Sequence, residues 1–202
     1  MPVYAELRRL AASGAVDFAA ATSFALDEFV GLERTDPRSF AFFIHEHLID
    51  GTNFDPQRVH FLDGSSSDID QECDRYEATI AAAGGIDLQL LGLGRNGHIG
   101  FNEPADALPA RTHRVLLRQD TRTDNAGRFG RDADHVPREA ISMGVGTILH
   151  ARAILIIAIG ESKAAAVERM VRGPVTTKLP ASLLQLHASV EVYLDHAAAA
   201  RL

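Results

Sequence analysis

Seven consecutive residues, Ala153-Ile-Leu-Ile-Ile-Ala-Ile159, carry no polar side chain. A strand with one wet face alternates polar and apolar, so a run apolar on both faces predicts a parallel strand covered by helices on each side. Residues 18–26 and 86–93 read as further strands, and 59–62 and 190–194 as shorter ones. Helix-period segments lie between them, over 4–12, 37–49, 67–83, 162–171 and 181–187. Pro37 opens the second of these, and Gly84-Gly85 closes the third, as helix starts and stops favour. Strand–helix alternation predicts right-handed βαβ units, and hence a doubly wound, mostly parallel α/β sheet with helices on both faces, a Rossmann-like arrangement. No repeat, linker or low-complexity tract interrupts it, so residues 1–202 are expected to form a single domain.

The charge balance narrows the function. Twenty Lys and Arg stand against 27 Asp and Glu, a net charge of -7 with no basic stripe. That excludes a nucleic-acid footprint. An anionic ligand must then rely on a few local cations. Cys73 is the single cysteine, which excludes a disulfide framework and a thiolate metal cluster and suits a reduced bystander on a helix. No apolar stretch approaches the ~20 residues of a membrane span, and the first residues lack the pattern of a secretory signal. A cytoplasmic location is the expectation.

Ligands in open α/β sheets bind beyond the carboxyl ends of the strands. That rule selects Asp27-Glu28, Gly94-Arg-Asn-Gly-His98 and Gly160-Glu-Ser-Lys163. A carboxylate, an imidazole and an ammonium would converge on one crevice. His98 and Glu103 share a glycine-rich loop, where a carboxylate can orient an imidazole for proton transfer. Lys163, three residues past Gly160 and at a helix start, suits an anion, and Arg128 is a second candidate anion ligand. His45-Glu46-His47 is not read as a metal site, because i and i+2 do not share a helix face; no metal is expected.

Gly92-Leu-Gly94-Arg-Asn-Gly97 also fits the dinucleotide fingerprint. That motif needs a helix to begin inside it, and Gly100 and Pro104 oppose one at costs of ~1 and ~3 kcal/mol. No cofactor is therefore expected, and the glycines are read as letting backbone approach a small ligand.

Four stretches together resemble the glucosamine-6-phosphate deaminase (isomerase) family, in particular its short bacterial branch. They are Leu26-Asp-Glu-Phe-Val-Gly-Leu32, Gly92-Leu-Gly-Arg-Asn-Gly-His-Ile-Gly-Phe-Asn-Glu-Pro104, Ser142-Met-Gly-Val-Gly-Thr147 and Leu179-Pro-Ala-Ser-Leu-Leu-Gln-Leu-His187. The resemblance implies conversion of glucosamine 6-phosphate and water to fructose 6-phosphate and ammonia, a step of amino-sugar catabolism, with no redox cofactor. It further implies that His98 opens the sugar ring, Glu103 orients His98, and Asp27 moves the proton from C2 to C1. Asn96 would polarise His98, at a position that is Asp in some members and Asn in others. Lys163 and Arg128 would hold the phosphate of a small-molecule sugar phosphate, and a homo-oligomer is admissible.

The sequence also departs from that pattern. Family members begin with a strand, a helix, a second strand and a phosphate loop, whereas this chain starts just after that loop, at Met1-Pro-Val-Tyr4, and is expected to be N-terminally truncated. Gly127 stands as an insertion before Arg128. The basic residues of the allosterically regulated members are not fully reproduced around Arg111-Thr-His-Arg114. Rival readings are a 6-phosphogluconolactonase-like hydrolase, a non-catalytic sugar-phosphate-binding domain of the same fold, and an inactive remnant.

Overall fold

The computed structural model describes residues 2–202; Met1, where the family-like stretch is expected to begin, lies outside them. In chain order the elements are α1 (Pro2–Ala12), β1 (Ser23–Phe24), β2 (Asp27–Phe29), α2 (Phe40–His47), β3 (Val59–His60), α3 (Ile69–Ala82), β4 (Leu88–Gly92), β5 (His113–Leu116), α4 (Gln119–Asn125), β6 (Glu139–Ser142), α5 (Val145–Leu149), β7 (Ala153–Ala158), α6 (Ala164–Arg172) and β8 (Val190–Leu194).

The parallel α/β expectation holds, with additions. β4, β7 and β8 pair in parallel in that order, and β1 pairs in parallel with β3. A third sheet, β2–β6–β5, is antiparallel and was not expected. Its strands are three or four residues long, too short to leave a periodic signal in the sequence.

The apolar run that begins at Ala153 forms β7. Ile154, Ile156 and Ala158 on one face are buried with Leu91 of β4, Tyr76 and Ile80 of α3, Ile148 of α5, and Val167 and Met170 of α6. Leu155 and Ile157 on the other face are only half-buried, so the second face is less covered than composition alone predicts. A second apolar cluster gathers Phe29, Phe101, Leu117, Phe129 and Val136. Phe29 stacks on Phe40 and meets Phe129 edge-on, joining the antiparallel sheet to α2.

The strand expected over 18–26 shrinks to two residues. Phe18 instead stacks on Phe54, its N–H donates to the Asn53 side chain, and the Ala21 N–H closes a turn on the Phe18 carbonyl. These local bonds hold the segment out of the sheet. α2 begins at Phe40, capped by Ser39, rather than at Pro37. The segment read as a helix over 181–187 is a 3-10 helix, Pro180–Leu186.

Two contacts fix the ground next to Asp27. Tyr76 is fully buried, and its hydroxyl donates to the Ala25 carbonyl at 2.7 Å and the His60 carbonyl at 3.2 Å. The Met143 N–H donates to the Leu26 carbonyl at 2.9 Å. The turn from β1 into β2 is thus held from both sides.

Candidate active site

After β4 the chain turns back on itself: the Gly94 N–H donates to the His98 carbonyl at 2.9 Å. The imidazole of His98 occupies the space a side chain at residue 94 would take, since a Cβ there would lie 2.4 Å from His98 Nδ1. Gly97 has φ +87, a conformation that favours glycine, and a Cβ on it would meet Leu179 at 2.2 Å. Its carbonyl accepts the Ala181 N–H at 2.9 Å. The glycines lead into an isolated bridge between Ile99 and Asn102 rather than into a helix.

Asn102 and Ser142 tie this loop to β6. The Asn102 side-chain amide donates to the carbonyls of Ile99 and Met143 at 2.9 and 2.8 Å. Ser142 Oγ accepts the Phe101 N–H at 3.0 Å. Both residues are buried. Neither was singled out from the sequence, although Asn102 lies inside the N-E-P motif.

The loop delivers His98 and Glu103 to each other. His98 Nδ1 lies 3.7 Å from Glu103 Oε2, and both side chains are largely buried. Burial lowers the His98 pKa, opposed by the Glu103 carboxylate and reinforced by Lys163. The imidazole is therefore neutral near pH 7 and able to accept and return a proton. Asn96 is fixed by its own hydrogen bonds. Its Oδ1 accepts the His98 N–H at 3.1 Å, and its Nδ2 donates to Glu103 Oε2 at 2.9 Å.

Asp27 opens β2 and pairs in register with Ser142, the residue that anchors the His98 loop. Burial raises its carboxyl pKa to about 7, Glu28 adds to the rise, and Arg128 opposes it. A carboxyl of that affinity can exchange protons at neutral pH. Glu28, 2% exposed, accepts from the backbone N–H groups of Phe29, Phe40 and Ala41 at 2.8–3.0 Å. It caps the N-terminus of α2 and locks β2 against it.

Arg128 reaches the same neighbourhood despite Gly127. Its guanidinium lies over the rings of Phe43 and Phe40, 4.2 and 5.0 Å from their centroids, and it faces Asp27, Glu28 and Tyr4. Lys163 is placed elsewhere, at the turn leading into α6, where burial lowers its pKa and Asp124 opposes that. The two expected phosphate cations thus have different surroundings, Arg128 beside Asp27 and Lys163 on the His98 side.

A cavity of about 250 Å³ opens at His98, lined by Arg95, Asn96, Asp120, Thr121 and Asp124. The last three lie on α4, which the sequence reading did not assign. Asp120 and Asp124, spaced i and i+4, share one helix face; that spacing was the available signal. Arg95 forms a two-point ion pair with Asp124. Among the described residues, no group of three or more His, Cys, Asp or Glu side chains is placed to hold a metal ion, and no helix is long and apolar enough to cross a membrane.

Residues 1–193 match the family described as glucosamine-6-phosphate isomerases/6-phosphogluconolactonase. The chain belongs to that family. It is 48% identical, over all 202 residues and 77% of the relative, to a glucosamine-6-phosphate deaminase of Pseudarthrobacter chlorophenolicus. It is 51% identical, over 94% of this chain and 75% of the relative, to a deaminase of the same name from Rhodopirellula baltica. The solved structure of a monomeric glucosamine-6-phosphate deaminase superimposes with a TM-score of 0.95 at 40% identity, over 99% of this chain and 83% of that one. A 6-phosphogluconolactonase of Thermotoga maritima gives 0.73 at 19% identity, over 96% of this chain and 78% of that one, a likeness of fold alone. Family membership places the antiparallel strands and the two parallel groups within a Rossmann-like frame.

Proposed function

We infer that this chain is a glucosamine-6-phosphate deaminase, converting glucosamine 6-phosphate and water to fructose 6-phosphate and ammonia. The observation that carries the reading is Asp27, a carboxyl tuned to about pH 7 on the strand that pairs with the anchor of the His98 loop. Similarity to deaminases over nearly the whole chain supports it.

His98 takes the proton from the anomeric hydroxyl and delivers it to the ring oxygen, opening the ring. Glu103 steadies the imidazole while it is charged, and Asn96 holds Glu103 in place. Asp27 removes the C2 proton of the open-chain sugar, giving an enolamine, and returns a proton to C1. The resulting C2 imine adds water and expels ammonia, leaving the ketose. Lys163 and Arg128 neutralise the phosphate.

The test is an assay of ammonia and fructose 6-phosphate formed from glucosamine 6-phosphate, with 6-phosphogluconolactone as a parallel substrate. Equal amounts of the two products support the reading. Lactone hydrolysis without deamination transfers the site to the rival enzyme class.

A further inference from the structure

The Asn96 amide bridges two carboxylates, and only one of them belongs to the His98 loop. Because Asn96 Oδ1 is engaged by the His98 N–H, its Nδ2 must face outward. There it donates to Glu103 Oε2 at 2.9 Å and to Asp120 Oδ2 at 3.4 Å. Asp120 is itself oriented: its Oδ1 accepts the Thr121 N–H at 3.0 Å and lies 3.7 Å from the Arg118 guanidinium. Its second oxygen is thereby aimed at Asn96.

We propose that Asp120, from α4, is a positioning residue that acts through Asn96 to hold the Glu103 carboxylate against His98. This role rests on the deaminase reading for its catalytic consequence, but the coupling to His98 does not. The arrangement also explains why an amide suits position 96. An aspartate there would set a third carboxylate against Glu103 and Asp120, with no donor between them. The other charged groups facing His98 are Glu103 from its own loop, Lys163 ahead of α6, and Asp124 on α4, the last neutralised by Arg95.

The first experiment is an NMR titration of the His98 imidazole in wild type and Asp120→Asn, with Asp124→Asn as the comparison for long-range charge. It needs no turnover, so its outcome is independent of the deaminase assignment. Removing the Asp120 charge and its hold on Asn96 is expected to lower the His98 pKa; Asp124→Asn, which also frees the Arg95 charge, gives the scale of a purely through-space change. In the deaminase assay kcat should fall about tenfold with KM within about twofold, the loss of one charge-assisted hydrogen bond.

The second is a swap. Asn96→Asp alone should raise the His98 pKa and depress kcat. Asn96→Asp combined with Asp120→Asn removes one of the two carboxylates set against Asp at position 96, leaving only Glu103, and should recover part of the kcat lost in Asn96→Asp. A residue that merely caps α4 would leave the His98 titration unmoved by Asp120→Asn and the double variant no better than Asn96→Asp. Either result overturns the proposal.

Discussion

Replacing Asp27 by Asn should make the protein more stable while removing its activity, and the gain should depend on pH. The folded carboxyl holds its proton up to about pH 7, against 3.8 ordinarily. For a carboxyl raised in this way the unfolded chain releases the proton first, so folding loses stability as pH climbs from about 4 to about 7. Above pH 7 the whole cost is present, and below 4 none of it is. Three units correspond to about 4 kcal/mol, and partial access of water to this half-buried residue leaves a cost on the order of 2 kcal/mol. Asn keeps the shape without the charge and escapes that cost. The assay is thermal unfolding of both proteins at pH 5 and pH 8. The advantage of Asp27→Asn should be larger at pH 8 by on the order of 1 kcal/mol, or roughly 2–4 °C in a chain of this size. An advantage equal at both pH values, or a loss at pH 8, would refute the idea that buried charge at Asp27 is held against a folding cost.

Other outcomes follow from the same contacts. His98→Asn should lower kcat by about 10²–10⁴ with KM little changed, read by steady-state kinetics. Glu28→Gln should destabilise by about 1–3 kcal/mol, because the amide cannot accept all three backbone N–H bonds; it should also move the acid limb of kcat to lower pH, since Asp27 loses a like-charged neighbour. Lys163→Ala should raise KM by about 10–100-fold without a matching change in kcat. Gly97→Ala should cost about 1–3 kcal/mol by denaturant unfolding, through its φ of +87 and the clash with Leu179.

Much of this was visible in the residues. β4, β7, β8, α3 and α6 are long and periodic enough to read, and their carboxyl ends carried Asn96, His98 and Lys163 toward one crevice. The antiparallel sheet was not legible. Its strands are too short for periodicity to register, and they gain order from pairing with segments more than twenty residues away in sequence. Asp27 shows the difference: its place near a strand end and beside Glu28 was apparent, but its elevated pKa comes chiefly from burial, which no local pattern reveals. Asp120 stayed hidden for a related reason. Its helix spans only Gln119–Asn125, reads as polar throughout, and acquires meaning only beside Asn96.

In this mechanism Asp27 moves the proton between C2 and C1. The direct measurement is ¹H NMR of the reaction in D₂O, following exchange at C2 of glucosamine 6-phosphate and deuterium at C1 of fructose 6-phosphate. Wild type should place solvent deuterium at C1, and Asp27→Asn should show neither exchange nor product while still binding the sugar phosphate. Exchange at C2 that persists in Asp27→Asn would assign the base to another residue.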